Sequence, residues 1–500
     1  MKSYLRTSFF LLLLSLFACC PSETGTVDFI ILQLNDVYEI APIEGGKAAG
    51  MARVATIRRQ LLAENPNVIT TLSGDFLSPS LTGTLTYKDE KIAGKHMVEV
   101  MNALGVDYVI PGNHEYDISE QDHMKRIAEA EFIWTTTNCW HVVNGESVPW
   151  TQNGKSFPDH IMHTIDGVDI AFFGPTVPNT IKPYVSYTPK YQSAKKVYEK
   201  IKCEAEVLVA ITHLEEEMDS LLATEHIPEL DLILGGHDHT NMLRQYGKTI
   251  MTKADANAKT VYVHRMSYNK ATRKTTIKSE LVTIDDSITD DPAVKKVVDK
   301  WSAISDSSLA SLGYNTKATV LDTKKMPENR KVLDGRETSI RNEPTNYPIM
   351  TAEAFAYVVP DVDLAIFNSG SLRLDDQLTG IITEYDILRS FPFGGGISTV
   401  ILKGDVVQDV LDAGKKNAGT GGYLQHTKVT GDIGAWEING APLSTTKSYK
   451  LALPDYVMKG SETGLGFLSK YTKDATKPDL DTLKNDVRNI VMAYFRHLNK

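Results

Sequence analysis

Five short apolar runs in this chain each end at once on aspartate, asparagine or histidine, and no other feature constrains the fold as strongly. Phe29-Ile30-Ile31-Leu32-Gln33-Leu34 runs into Asn35-Asp36, and Asn67-Val68-Ile69-Thr70-Thr71-Leu72 into Ser73-Gly74-Asp75. Tyr108-Val109-Ile110 meets Pro111-Gly112-Asn113-His114-Glu115-Tyr116-Asp117, Val207-Leu208-Val209-Ala210-Ile211 meets Thr212-His213, and Leu232-Ile233-Leu234 meets Gly235-Gly236-His237-Asp238-His239. Apolar runs this short, bounded by turn signals, read as buried strands. Helical patterns lie between the early ones, from about Ala52 to Leu62 and from Lys95 to Leu104, where Met97, Val100, Met101 and Leu104 recur at helical spacing. Strands alternating with helices predict an α/β fold, and the carboxyl ends of strands in one such sheet converge although their residues span Asp36 to His239.

Singly, these polar residues are ordinary, because Asp after a strand commonly starts a turn and a buried His is commonly a hydrogen-bonded core residue. Together Asp36, Asp75, Asn113, His213, His237 and His239 form a mixture of hard oxygens and imidazoles suited to Zn, Mn, Fe or Co rather than to calcium. One catalytic ion uses about three protein ligands, so six candidates point to two divalent ions. Two such ions about 4 Å apart repel by roughly 16 kcal/mol at an effective dielectric of about 20, so an anionic bridge is required. Asp75 is the expected bridge, with a hydroxide as second bridge and nucleophile. His114, with Asp117 three residues on, is an imidazole that a carboxylate can orient to stabilise charge on a phosphoryl oxygen.

With 500 residues, 42% of them hydrophobic, the chain exceeds what one core supports, and at least two domains are expected. A formal net charge of -10 supplies no general basic field, which excludes polymeric nucleic acid as a partner class. No protein partner is evident. Lys2 and Arg6 precede an apolar run from Phe9 to Phe17 that is shorter than the roughly 20 residues of a membrane span. Leu16-Phe17-Ala18-Cys19 resembles the lipobox of bacterial lipoproteins, so Cys19 is the expected lipidation site and an N-terminal lipid the only expected membrane contact. The expected location is the periplasmic or cell-surface face of a membrane. Cys20, Cys139 and Cys203 fit no zinc cluster and read as buried small residues, with a Cys139–Cys203 bond left open.

From Asp290 the composition changes. Asp291-Pro292 is a helix start, followed by Val294, Val297, Val298 and Trp301 at near-helical spacing to about Ala310. This reads as a linking helix and as the place for a hinge. Beyond it Arg336, Arg341 and Arg373 stand out, since guanidinium forks suit phosphate oxygens and ribose hydroxyls.

The residues resemble the two-domain metallophosphoesterases of the 5′-nucleotidase family over nearly all of the chain after the export signal. Asn35-Asp36, Gly74-Asp75, Gly112-Asn113-His114-Glu115, Thr212-His213 and Gly236-His237-Asp238-His239 carry the resemblance in the first half. It implies an N-terminal calcineurin-like αββα sandwich and a smaller C-terminal α/β domain. It implies that Asp36, Asp75 and His239 hold one ion, that Asp75, Asn113, His213 and His237 hold the other, and that His114 and Asp117 form the catalytic dyad. Where the family has a histidine two residues after its first aspartate, this chain has Tyr38.

In the second half Arg341 begins an Arg-x-x-x-Thr-Asn segment, and Asn368-Ser369-Gly370-Ser371-Leu372-Arg373 is similar to the family's Asn-Gly-Gly-Gly-Ile-Arg loop. Arg336 fits within one residue of a family arginine. Phe391-Pro392-Phe393-Gly394-Gly395 resembles the loop whose Phe stacks on the nucleobase, with Tyr456 as second aromatic and Glu462 six residues on where the family has Asp. The resemblance thus implies substrate contacts from Arg336, Arg341, Asn368, Arg373, Phe393, Tyr456 and Glu462.

The resulting expectation is a signal peptide over 1–19, a tether over 20–27, a metallophosphoesterase domain over 28–289, a linker helix over 290–312 and a nucleotide-binding domain over 313–500. The expected activity is metal-dependent release of phosphate from nucleotides. A cyclic-nucleotide or nucleotide-sugar phosphohydrolase is the enzyme alternative, and a non-catalytic surface binding lipoprotein the alternative of another class.

Overall fold

The computed structural model describes residues 25–480 and 483–500. The expected export signal, with Cys19 and Cys20, lies outside the described residues. Among them no helix is long and apolar enough to cross a membrane. Cys139 is buried and Cys203 exposed, both unpaired.

Two six-stranded sheets form the first half of the molecule. One runs in the order Lys274–Thr283, Thr260–Asn269, Thr26–Leu34, Val68–Ser73, Tyr108–Ile110, Ile133–Trp134, with its last four strands parallel. The other runs Ile161–Ile165, Val168–Phe173, Val207–Thr212, Leu232–Gly235, Thr249–Lys253, Met242–Tyr246, with four parallel strands inside antiparallel edges. The central strands are buried throughout because both faces are covered: every residue of Val68–Ser73 and of Val207–Thr212 is buried.

Phe29, Ile31, Ile69 and Ile110 of the first sheet share a core with Val207, Val209, Ile211 and Leu234 of the second. Each such fully buried side chain contributes about 1.5–3 kcal/mol. Helices Met51–Glu64 and Lys95–Leu104 cover the outer face of the first sheet, and Lys190–Ile201 that of the second. The two sheets are the αββα sandwich that the resemblance implies, and three of the five signal strands belong to one sheet and two to the other, so the polar residues gather at the ends of both. Hydrogen bonds lock the sheets in register near their carboxyl ends. Gln33 Nε2 donates to Gly235 O (3.1 Å) and Thr252 O (2.9 Å), and Ser73 Oγ donates to Leu234 O (2.8 Å).

The helix Pro292–Ser311 starts where the Asp291 carboxylate accepts from the Ala293 and Val294 amides. It packs on the helices Met51–Glu64 and Lys95–Leu104, and the Trp301 indole donates to Glu99 at 2.8 Å. Rotation within this helix would break those contacts, and the chain turns away from it past Ser311, where Gly313 takes φ +93°. The second half has a four-stranded sheet ordered Ile397–Lys403, Ser448–Pro454, Leu364–Asn368, Leu424–Thr427. Leu364 and Ile366 face the helix Gly404–Lys416, while Ala365 and Phe367 face Asn346–Val358, as the two-residue period of a strand requires.

Candidate active site

Sharp turns follow the signal strands. Asp36, Asp75, His237 and His239 have φ of 52°, 55°, 80° and 55°, a left-handed backbone that non-glycine residues rarely hold unless the surroundings enforce it. Gly112 permits a close approach: a Cβ there would lie 2.1 Å from Asp75 Oδ1. The Glu115 carboxylate holds these turns together, accepting from the amides of Asp75 (2.8 Å), Phe76 (2.8 Å), Leu77 (3.1 Å) and Gly112 (2.5 Å). Glu115 is fully buried, so those four amides have no water to turn to.

Two groups of donor atoms result, each with its atoms within 4.8 Å of one another: Asp75 with His213 and His237, and Asp36 with Asp75 and His239. Asp75 is common to both. His213 Nδ1 donates to Ser73 O at 2.8 Å, which leaves the Nε2 lone pair free, 3.0 Å from Asp75 Oδ2. That nitrogen and the Asn113 Oδ1 are buried without a hydrogen-bond partner. Asp36 Oδ2 accepts from Asn35 Nδ2 and from the His237 amide, both at 2.9 Å, and its Oδ1 faces His239 Nε2 at 3.2 Å.

Burial would lower the His213 pKa, yet the Asp75 carboxylate outweighs it and pushes His213 up to about 10, so without an ion a proton takes the place on Nε2 that a metal would fill. For Asp75 burial acts upward, and His213 and His114 hold its carboxyl far below the usual range. Buried negative charge in excess of donors, together with orphaned lone pairs aimed inward, fits a pair of metal ions.

Tyr38 enters the same cluster. Its hydroxyl lies 3.0 Å from His239 Nε2, 3.4 Å from Asp75 Oδ2 and 3.5 Å from Asp36 Oδ1.

His114 Nδ1 pairs with Asp117 Oδ2 at 2.7 Å, and the His114 amide donates to Asp75 Oδ1 at 2.7 Å. Burial acts to lower the His114 pKa, but the Asp75 and Asp117 carboxylates raise it above the ordinary value. Arg373, from the other half of the chain, stands 3.5 Å from His114 and 4.0 Å from Asp117. Arg341 is bound to Glu337, and Arg373 lies 3.6 Å from the same carboxylate. A cleft of about 520 Å³ between the halves is lined by Asp75, Asn113, His114, Asp117, His237 and His239 on one side and by Arg341, Arg373 and Asp375 on the other.

Several expected substrate residues lie elsewhere. Arg336 is half exposed and turned onto Asp334 at 2.6 Å, away from the cleft. Its own near neighbour satisfies the guanidinium. Asn368 and Glu462 do not line the cleft but are joined to each other, Nδ2 donating at 2.9 Å. Phe393 borders an adjacent depression of about 440 Å³ that shares Asp117 with the cleft. Phe393 (59% exposed) and Tyr456 (51% exposed) form no ring contact with each other.

Three residues escaped the sequence reading of roles. Glu115 was legible only as part of its motif, and Glu337 had no signal. Asp375, at φ +43°, accepts from His239 Nδ1 through one oxygen and from the Glu337 amide (2.6 Å) through the other, joining the two halves.

Residues 29–241 match the profile of the calcineurin-like phosphoesterases, and residues 320–468 match that of the 5′-nucleotidase C-terminal domain. A 5′-nucleotidase of Homo sapiens is 24% identical over 83% of this chain and 77% of its own length. A 5′-nucleotidase of Vibrio cholerae is 22% identical over 84% and 82%. The crystal structure of a 5′-nucleotidase precursor from Thermus thermophilus superposes with a TM-score of 0.72 at 18% identity, covering 95% of this chain and 97% of that one.

Proposed function

Because the chain joins a calcineurin-like phosphoesterase domain to a 5′-nucleotidase C-terminal domain and so belongs to the two-domain 5′-nucleotidase family, we propose that its cleft hydrolyses the phosphate esters of nucleotides. The observation that carries this reading is the sharing of Asp75 between two donor groups that open on a cleft closed by Arg341 and Arg373. Asp36, Asp75 and His239 would hold one metal ion, and Asp75, Asn113, His213 and His237 the other. A pair of divalent ions supplies positive charge to phosphoryl oxygens and makes water acidic enough to attack at neutral pH.

The protein groups have separate tasks. With Nδ1 committed to Asp117, His114 keeps its second nitrogen for a proton that stabilises charge growing on a phosphoryl oxygen. Arg373 and Arg341 turn guanidinium forks toward the phosphate from the opposite wall. Glu337 holds both arginines in place. The nucleobase would extend past Asp117 to Phe393, with Tyr456 as its other face. Boundaries at 28–289 and 313–500, with the helix Pro292–Ser311 between, suit this division of labour. Export with a lipid on Cys19 would place the enzyme on the outer side of a membrane, a reading supported by the N-terminal apolar run.

A phosphate-release screen over nucleoside mono-, di- and triphosphates, cyclic nucleotides and nucleotide sugars, with Mn, Zn, Co or Mg, tests the substrate class. Release from nucleoside phosphates is the expected result, and release only from other esters would overturn it. Phe393→Ala combined with Tyr456→Ala should raise KM for the nucleotide about 5- to 150-fold, two stacking contacts of roughly 0.5–1.5 kcal/mol each, and leave a small aryl phosphate nearly unaffected. An unchanged nucleotide KM would remove the base from between these rings.

A further inference from the structure

A cavity of about 710 Å³ opens between the helix Lys190–Ile201 and the segments that carry Trp140, Trp150 and Phe157, and it shares no lining residue with the cleft. Its size and its aromatic walls are those of a small-molecule site. Two lining residues, Trp150 (1% exposed) and Thr137 (6% exposed), keep a buried polar atom with no hydrogen-bond partner, the indole nitrogen and the hydroxyl. A buried polar group left unpaired costs stability, and a buried indole N–H usually finds an acceptor. Other polar groups around the cavity are engaged with one another. The Trp140 indole donates to Thr188 Oγ1 at 3.2 Å, the Thr188 and Ser193 hydroxyls are bonded at 2.8 Å, and Asp159 pairs with His160 at 2.6 Å and Lys200 at 3.1 Å. The two open positions are thus a donor and a hydroxyl that can donate or accept, which ring nitrogens and carbonyls can meet.

The rings favour a planar occupant. Trp150 already stacks on His141 at 4.3 Å and on Tyr116 at 5.8 Å, so it offers a ligand its N–H rather than a free face. Trp140 is half-buried and, among the described residues, in no ring contact, which leaves its indole for another flat ring. The cavity also favours a neutral occupant: Lys196, the one cation among its lining residues, is exposed, and a phosphate would be costly to bury without a partner.

We propose that this cavity is a second binding site, for a neutral nucleoside, and that its occupancy is felt at the catalytic turn. The choice of a nucleoside rests on the reading of the cleft as a nucleotide phosphohydrolase, whose product it is, while the planar and neutral character comes from the cavity alone. The base lies on Trp140 and meets the Trp150 N–H and the Thr137 hydroxyl with its edge. Tyr116, stacked on Trp150, stands in the turn His114–Asp117, and the Tyr184 hydroxyl reaches Tyr116 O at 2.9 Å and Ile118 O at 2.8 Å. Asn138, next to Thr137, exchanges hydrogen bonds of 2.8 and 2.9 Å with Thr176, whose hydroxyl donates to Pro111 O. An occupant that touches Trp150 and Thr137 therefore bears on both supports of the segment that carries Asn113, His114 and Asp117. Such coupling moves kcat, whereas a nucleoside in the cleft competes with the nucleotide and moves KM.

The test titrates the full-length protein with adenosine and with uridine, followed by tryptophan fluorescence and calorimetry. Saturable binding is expected that a non-hydrolysable phosphonate analogue of the nucleotide does not displace, together with a changed rate of phosphate release at saturating nucleotide. Thr137→Val keeps the side chain's shape and removes the unpaired hydroxyl. It should weaken nucleoside binding about 2- to 10-fold, melt no lower than the unaltered protein, and release phosphate at the unaltered rate when no nucleoside is added. Ser193→Trp, which fills the cavity from the helix Lys190–Ile201, should abolish the binding. Binding that the analogue displaces, or that neither variant changes, would put the nucleoside in the cleft and overturn the second site while leaving the reading of the cleft intact. Binding of neither nucleoside overturns the site as well. Binding in the cavity with the saturated rate unmoved overturns the link to the catalytic turn. A protein that binds nucleoside in the cavity and releases phosphate from no nucleotide would keep the site and overturn the reading of the cleft.

Discussion

Asp75→Asn is expected to leave the protein with little bound metal and with turnover reduced to background. Asp75 is fully buried and is the one residue common to both donor groups. Its negative charge is secured by His213 at 3.0 Å and by the His114 amide at 2.7 Å. Two divalent ions about 4 Å apart repel by roughly 16 kcal/mol at an effective dielectric of about 20, and an amide in place of the carboxylate removes the anion that lies between them. The asparagine can still accept the His114 N–H, so the loop should keep its shape. Elemental analysis of the variant beside the unaltered chain checks the first half of the expectation, and initial rates at saturating metal check the second. Two ions per chain in an active Asp75→Asn protein would remove Asp75 from the bridging position.

His114→Asn should separate chemistry from metal binding. His114 belongs to neither donor group, so metal content should stay at the unaltered level, while kcat falls about 100- to 10 000-fold with the loss of a positioned acid–base group. Asp117 then keeps Arg373 as a weak neighbour at 4.0 Å, which cannot carry a proton to the phosphoryl oxygen because a guanidinium does not give one up. Single-turnover rates distinguish this from slow product release. A variant that loses its metals along with its rate would make His114 a structural support of the cluster instead, acting through its amide on Asp75.

These expectations draw on parts of the molecule that differ in how far sequence exposes them. Asp36, Asp75, Asn113, His213, His237 and His239 could be named from the chain because a buried parallel strand is mostly apolar, and the charged, amide and imidazole residues just past its end lie at the sheet's carboxyl edge. His114 and Asp117 were legible for a related reason, since one short turn keeps residues three apart within reach of each other. The charge count and the absence of a basic field likewise depend on composition alone.

Adjacency across the fold is another matter. Asp375 touches His239 across 136 residues of chain, and Arg373 reaches the dyad across 259. No local pattern records such meetings, because they arise when separately stable layers pack. The same holds for the particular contacts by which Gln33 and Ser73 tie the ends of the two sheets together. Arg336 and Arg373 look equally available in the sequence, yet Asp334 takes the first and the cleft receives the second. A guanidinium pairs with whichever carboxylate the backbone brings within reach. Tyr38 shows the division most clearly: the sequence by itself determined that a phenol stands two residues from Asp36. Only the packing of His239 and Asp75 around it decided that its oxygen, buried from water, belongs to the same cluster of donors.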